Sequence, residues 1–324
     1  MRCLFQLASL CALLGVTGCV VIPIGDLLKG PELSEQVLIE GTGIFGKEKI
    51  AIIDIEDVIR SGESTSLLFP EESTLRETKA RLDAARSDPE VKAIVLRISS
   101  PGGEVTACDI LHQEVMKLRR DRKIPVIASI VDQGTSGAYY IAAAADRIVA
   151  HPTAVVGSIG VILYNLDLSG LLGKIGVSAA PIKSSDKKDL NSPFRPMTDE
   201  ERAVLQRLVD DLYRRFVTVV DEGRPQLGKD EVLAVADGRV VSGIEAERLK
   251  LVDRTGYLSD AIEEAARAAG IETPTVVQYT RIARSGATIY GMGPERPSAR
   301  ELRVSLDAGM FSTPKLYYLW HPGL

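Results

Sequence analysis

Three short, unbroken apolar runs constrain this chain more than any other feature. Lys49–Ile59 is β-branched and bounded by charge, Ala93–Ile98 is a short continuous run, and Ile124–Ile130 repeats the pattern. Continuous rather than alternating apolar strands belong to sheets covered on both faces. Between them, Leu75, Thr78, Leu82 and Ala85 space a helix over Thr74–Arg86 that Ser87-Asp88-Pro89 stops. Ala107, Leu111, Val115 and Leu118 mark a second helix. Strand–helix–strand at this rhythm predicts an α/β fold with a mostly parallel sheet and crossover helices. No internal repeat is visible.

The clearest helix runs over Thr198–Glu222. Thr198-Asp199-Glu200-Glu201 has capping-box spacing, and Val204, Leu208, Leu212, Phe216 and Val220 run down one side. Shorter helices are predicted near Gly228–Ala236 and Ser242–Leu249, and another over Leu258–Ala269. Beyond Glu272 the prolines at 274, 294, 297, 314 and 322 interrupt any long element. Residues 273–324 therefore read as an extension outside the core, ending in the apolar Leu316-Tyr317-Tyr318-Leu319-Trp320. Packing on a neighbour, filling a groove and touching a membrane all stay open for that ending.

At the other end, Arg2 precedes a mostly apolar stretch from Cys3 to Val16, too short to remain as a spanning helix. Residues 1–18 are expected to be an export signal. Val16-Thr17-Gly18-Cys19 resembles the lipobox of bacterial lipoproteins, which implies acylation of Cys19 and an exported protein anchored to a membrane, facing the periplasm or cell exterior. Two or three acyl chains anchor stably where one is marginal. Residues 19–48 read as a lipidated tether, in which Val37-Leu38-Ile39 is either a short strand or a docking segment.

An apolar content of 45% and a charged content of 26% are globular values. The net charge of −5 carries no basic stripe, which argues against a nucleic-acid partner. Cys3 and Cys11 leave with the signal and Cys19 takes lipid, so Cys108 has no disulfide partner and reads as a buried, inert thiol. The three histidines, His112, His151 and His321, stand far apart, and no Cys/His metal spacing exists. No metal or cofactor is expected, and His151 reads as a structural residue at a strand end.

Two turns carry the chemistry. Ser99-Ser100-Pro101-Gly102-Gly103 follows the Ala93–Ile98 strand and precedes a helix, so its amides are free to point into a crevice as an oxyanion hole or anion nest. Ser136-Gly137 follows the next strand and opens the helix-forming Ala138–Ala145. There Ser136 is either a simple N-cap or a nucleophile favoured by the helix dipole. A serine hydroxyl needs an adjacent base to attack anything, and a lysine acts as one only if burial or a nearby cation depresses its pKa. Lys183, Lys187 and Lys188 share one loop with Asp186 and Asp189.

The run Arg97 to Val105, with Ser136-Gly137-Ala138-Tyr139-Tyr140 through Ile148, resembles the bacterial signal peptide peptidase A (SppA, protease IV) family. Val156-Gly157-Ser158-Ile159-Gly160-Val161, Ile182-Lys183-Ser184 through Lys188-Asp189 and Ala236-Asp237-Gly238-Arg239-Val240 extend the likeness, in order, from about Lys49 to Ala269. The resemblance implies a ClpP/crotonase-like fold, a repeated β-β-α spiral, with the peptidase domain at 49–272. It implies a membrane-anchored serine endopeptidase with a Ser-Lys dyad acting on peptides such as cleaved signal peptides. Ser136 matches the nucleophile, Lys188 the general base (Lys187 being the alternative) and Ser158 a serine that orients the lysine. Gly102, Gly103 and Gly137 match the oxyanion hole. Ala138 departs from a common glycine. Short family members assemble into rings or domes with serine and lysine from neighbouring protomers, which makes a homo-oligomer with shared active sites the expectation. A catalytically silent ClpP-like lipoprotein scaffold is the alternative, against which the intact Ser136, Ser158 and Lys188 stand. An acyl-CoA enzyme of crotonase type has no residue here that requires it.

Overall fold

The computed structural model describes residues 33–42, 48–62, 73–281, 288–290 and 316–320. The expected signal at 1–18, the expected lipidation site Cys19, His321 and most of the tail beyond 281 lie outside the described residues.

In chain order the strands are β1 (Ser34–Ile39), β2 (Lys49–Glu56), β3 (Val91–Ser100), β4 (Gly102–Glu104), β5 (Val126–Thr135) and β6 (Arg147–Ala150). They continue with β7 (Val155–Gly157), β8 (Ile162–Leu163), β9 (Val240–Ser242), β10 (Arg254–Thr255), β11 (Thr275–Thr280) and β12 (Leu316–Leu319). The α-helices are α1 (Thr74–Ser87), α2 (Val105–Arg122), α3 (Gly137–Ala142), α4 (Ser169–Lys174), α5 (Asp199–Gly223), α6 (Lys229–Val235), α7 (Gly243–Arg248) and α8 (Leu258–Ala269). The main sheet runs β1-β11-β2-β3-β5-β6-β10. Its pairings are parallel except for β1 with β11. β7 joins the end of β5 in parallel, and β9 pairs antiparallel with β7. This is the α/β, mostly parallel architecture expected of a ClpP-like chain.

The unbroken apolar runs have a direct explanation. Successive strand residues point to opposite faces, and both faces are covered. Ile50 and Ile52 of β2, with Ala93 and Val95 of β3, pack beneath Leu258, Ala261, Ile262 and Ala265 of α8. The alternate residues Ala51, Ile53, Ile55, Ile94, Leu96 and Ile98 share the opposite core with Leu82 and Ala85 of α1 and with Leu111, Val115 and Leu118 of α2. Truncating one such buried isoleucine to alanine costs about 2–5 kcal/mol. Helix α5 starts where its sequence places it. Thr198 Oγ1 accepts from Glu201 N at 3.2 Å, and Glu201 Oε2 accepts from Thr198 N at 2.9 Å.

The sheet extends on both sides beyond the expected bounds 49–272. Val37-Leu38-Ile39 is a strand, so the sheet begins within the expected tether rather than at Lys49. Residues 273–324 are not wholly outside the core. β11 lies between β1 and β2, and its Val277 and Tyr279 are buried. Pro274 does not interrupt it, because it precedes the first strand residue and removes no ladder N–H. β12 forms the middle of a second, antiparallel sheet, β4-β12-β8, with Tyr318 fully buried.

Candidate active site

The register of β3 on β5 sets Ser100 opposite Gly134, so both strands leave the sheet at the same edge. Crevices at the carboxyl ends of parallel strands are where α/β sheets collect functional groups. β3 delivers the Pro101-Gly102-Gly103 turn there, and β5 delivers Ser136.

Ser136 is buried, with φ 53° and ψ −118°. That backbone region is sparsely populated by residues with side chains and costs about 1–3 kcal/mol. Two hydrogen bonds hold it: Ser136 N donates to Gly157 O at 2.7 Å, and Ser136 O accepts from Tyr140 N at 2.9 Å. Its side chain makes no capping bond to α3, so the N-cap reading does not account for the hydroxyl. The helix itself ends at Ala142, short of the expected Ala145.

Gly102, Gly103 and Gly137 lie close together. Gly102 has φ +95°, and a Cβ on it would lie 2.6 Å from Gly137 N. A Cβ on Gly137 would stand 3.2 Å from Gly103 N and collide with Cys108 Sγ. A Cβ on Gly103 would instead strike the backbone of Ile59, so none of the three positions has room for a side chain. Cys108 is the buried thiol foreseen, and burial, then Glu104 and Asp109, raises its pKa far above the ordinary range.

Ser158 lies beside this centre. Thr135 pairs with Gly157 across β5 and β7, so Ser136 and Ser158 each follow one member of the pair. Ser158 N donates to Arg239 O at 2.7 Å.

The lysine loop stands apart. Lys183 pairs with Asp189 at 2.7 Å and Lys187 with Glu200 at 2.6 Å. Arg195 clamps the loop onto the start of α5, meeting Asp189 Oδ1 at 2.8 Å and Glu201 Oε2 at 2.8 Å. Hydrogen bonds from Arg195 and then Lys183 hold the Asp189 carboxyl well below the usual range, and Arg195 holds Glu201 at about 2. Lys188 is exposed, on the 3-10 turn Asp186–Asp189. Among the described residues it has no ion pair, and no hydrogen bond joins it to Ser136 or Ser158. A cavity of about 670 Å³ beside the loop is lined by Lys183, Lys187, Arg195 and Glu200, without any residue of the Ser136 crevice.

Neither described histidine replaces the lysine. His112 sits edge-on to Tyr140, ring centroids 5.1 Å apart, with Nδ1 unpartnered, and burial lowers its pKa to about 4. His151 meets Thr153 Oγ1 at 2.8 Å, the structural role expected at that strand end. Among the described residues no His, Cys, Asp and Glu cluster is arranged to hold a metal. Likewise, no helix of the described residues is long and apolar enough to cross a membrane.

The sequence reading left β12 unassigned, although it lies directly against the Gly102-Gly103 turn. The bulky run Leu316–Trp320 was the only signal for it.

Residues 118–272 match the family model of peptidase family S49. A provisionally named protease of Methanocaldococcus jannaschii is 36% identical over 242 residues, spanning 74% of this chain and 77% of that one. A provisionally named signal peptide peptidase SppA of Enterococcus faecium is 34% identical, over 76% of this chain and 71% of its own. Protease 4 of Haemophilus influenzae is 35% identical over 71% of this chain, which covers 36% of that longer protein.

Proposed function

The chain belongs to peptidase family S49 and is a serine peptidase, and on that premise we propose that Ser136 is its nucleophile and Lys188 its general base. Ser136 Oγ attacks a peptide carbonyl, and the resulting oxyanion is stabilised by the amides of the Gly102-Gly103 turn and Gly137. Lys188 takes the Ser136 Oγ proton during the attack and passes it to the departing nitrogen, so that collapse expels a neutral amine and leaves an acyl-enzyme. Lys188 then takes a proton from the water that hydrolyses it. The observation that carries this reading is the serine's mount: a buried side chain on a strained backbone, free of capping duty and beside three glycines.

A base must be unprotonated to act, and a lysine reaches that state near neutral pH only where it is desolvated or faces another cation. The reading therefore includes a second copy of the chain, whose Lys188 enters the Ser136 crevice and is desolvated there. The lysine-bearing segment favours that assembly. Leu171, Ile175, Val177, Ile182 and Phe194 are all exposed on it, apolar side chains that a second copy would cover. Ser158 is proposed to hold the nitrogen of the incoming neutral amine in place.

The substrates in this reading are short extended peptides such as the remnants of cleaved signal sequences; the Enterococcus relative is named as a signal peptide peptidase. Anchoring through Cys19 would place the site outside the cytoplasm, facing the membrane where such remnants are released.

Ser136→Ala and Lys188→Ala are each expected to abolish peptidase activity while the circular dichroism spectrum stays unchanged. Full activity in Lys188→Ala would eliminate Lys188 as the base.

A further inference from the structure

The peptide that joins Gly102 to Gly103 is aimed from outside the turn. Gly102 O accepts from Ile59 N at 2.8 Å, and Glu104 N donates to Ile59 O at 2.8 Å, so Ile59 grips the turn on either side of Gly103. In a trans peptide the carbonyl and the N–H that follows it point in opposite directions. Fixing Gly102 O on Ile59 therefore sends the Gly103 N–H the other way. Gly103 N lies 3.2 Å from where a Cβ on Gly137 would be, next to the residue that follows Ser136.

Ser100 fixes the peptide before. Its side chain is fully buried, and its hydroxyl donates to Asp57 O at 2.6 Å while accepting from Gly102 N at 3.1 Å. The single proton of that hydroxyl is thus spent on Asp57, and a lone pair holds the Gly102 amide. The supporting segment is held in turn by the start of α1. Thr74 Oγ1 donates to Val58 O at 3.0 Å, and Leu75 N donates to Arg60 O at 3.2 Å. Ser73 Oγ lies 3.0 Å from Arg60 O and 2.9 Å from Ser61 O. On the far side Ser61 N donates to Glu104 Oε2 at 3.1 Å.

We infer that Ser100 is a positioning residue for the reaction: braced by Asp57–Ser61, its hydroxyl sets the orientation of the peptide whose N–H meets the oxyanion. The inference rests on Ser136 being the nucleophile. A donor stabilises a developing oxyanion only when it is already aimed at the place that oxygen will take. Without the Ser100 hydroxyl, the Gly102 N–H and Asp57 O lose a buried partner, and the turn rotates to satisfy them elsewhere. The Gly103 N–H rotates with it. The loss falls on the charged intermediate and spares the bound peptide, so it belongs in kcat rather than KM.

The test compares full-length Ser100→Ala with the wild-type chain, using steady-state kinetics on a short peptide and two inhibitors of one tripeptide sequence. The tripeptide aldehyde adds Ser136 Oγ to its carbonyl carbon and leaves the carbonyl oxygen at the oxyanion position. The tripeptide alcohol forms no adduct. In Ser100→Ala, kcat is expected to fall about ten- to a hundredfold with KM within about twofold of wild type. The aldehyde should weaken by the same factor as kcat, and the alcohol should bind as before. Ser100→Cys keeps a weak donor and acceptor in nearly the same shape and should fall between the two; it carries the test where Ser100→Ala does not hold its fold. A folded variant with unchanged kcat overturns the inference. So does equal weakening of aldehyde and alcohol, which a merely structural role would give. No turnover and no aldehyde adduct in the wild-type chain overturns the assignment of Ser136 instead.

Discussion

Ser136 and Ser158 each stand one residue beyond the same paired rung of the sheet, Thr135 opposite Gly157, and both take left-handed backbone angles, φ 53° and 52°. A side-chain-bearing residue adopts that region only where surrounding structure over-determines it. The hydrogen bonds Ser136 N to Gly157 O and Ser158 N to Arg239 O supply the restraint. Two hydroxyls are thereby fixed at neighbouring points on one edge, a suitable arrangement for a nucleophile and a residue that positions its base. Ser158→Ala is expected to lower kcat about ten- to a hundredfold with KM and melting temperature nearly unchanged. Steady-state kinetics on a short peptide would check it, and a matching fall in thermal stability would point to a structural role.

Arg195 joins the lysine loop to α5 through Asp189 and Glu201. These groups are partly exposed, and such pairs contribute about 1 kcal/mol or less to stability. Their effect should appear in positioning instead. Arg195→Ala is expected to leave chemical denaturation almost unaltered while reducing peptidase activity at least tenfold, because Lys188 then lacks a fixed mount. Unchanged activity would show that the clamp does not orient the base.

His112 gives the fold a pH dependence of predictable sign. Its folded pKa, about 4, lies below the ordinary 6.5, chiefly through burial, with Asp109 opposing and Arg215 and Arg119 assisting. Between these values the unfolded chain binds more protons, so stability is full above pH 6.5 and declines as pH falls toward 4. At about 1.4 kcal/mol per pKa unit, the complete traverse amounts to roughly 3 kcal/mol. Urea unfolding at pH 7, 6 and 5 would show the decline, and His112→Gln should remove most of it. Carboxylates held low, such as Glu201 and Asp237, act only below that range.

The elements most legible in the sequence were those defined by local periodicity. Leu258–Ala269 falls where its apolar spacing places it, and Thr198–Glu201 forms the box its spacing announces. Ser136 was half legible: the sequence shows a small residue between strand and helix, whereas its φ is imposed by Gly157, brought there by β7. Non-local pairing explains why β11 and β12 were not legible. Nothing near Thr275–Thr280 indicates that β1 and β2 will take it between them, and nothing near Tyr318 indicates Tyr140 and Phe216 as its neighbours. That no hydrogen bond joins Lys188 to Ser136 among the described residues is likewise a property of the folded chain. Motif order carries no distance.

Subunit complementation tests the central claim most directly. Ser136→Ala and Lys188→Ala proteins, each inactive alone, are co-expressed or mixed under conditions that exchange protomers, and peptidase activity is measured. Recovery of a substantial fraction of wild-type activity is the predicted result, since mixed assemblies contain sites with an intact Ser136 from one protomer and an intact Lys188 from its neighbour. A mixture as inactive as its components would contradict it.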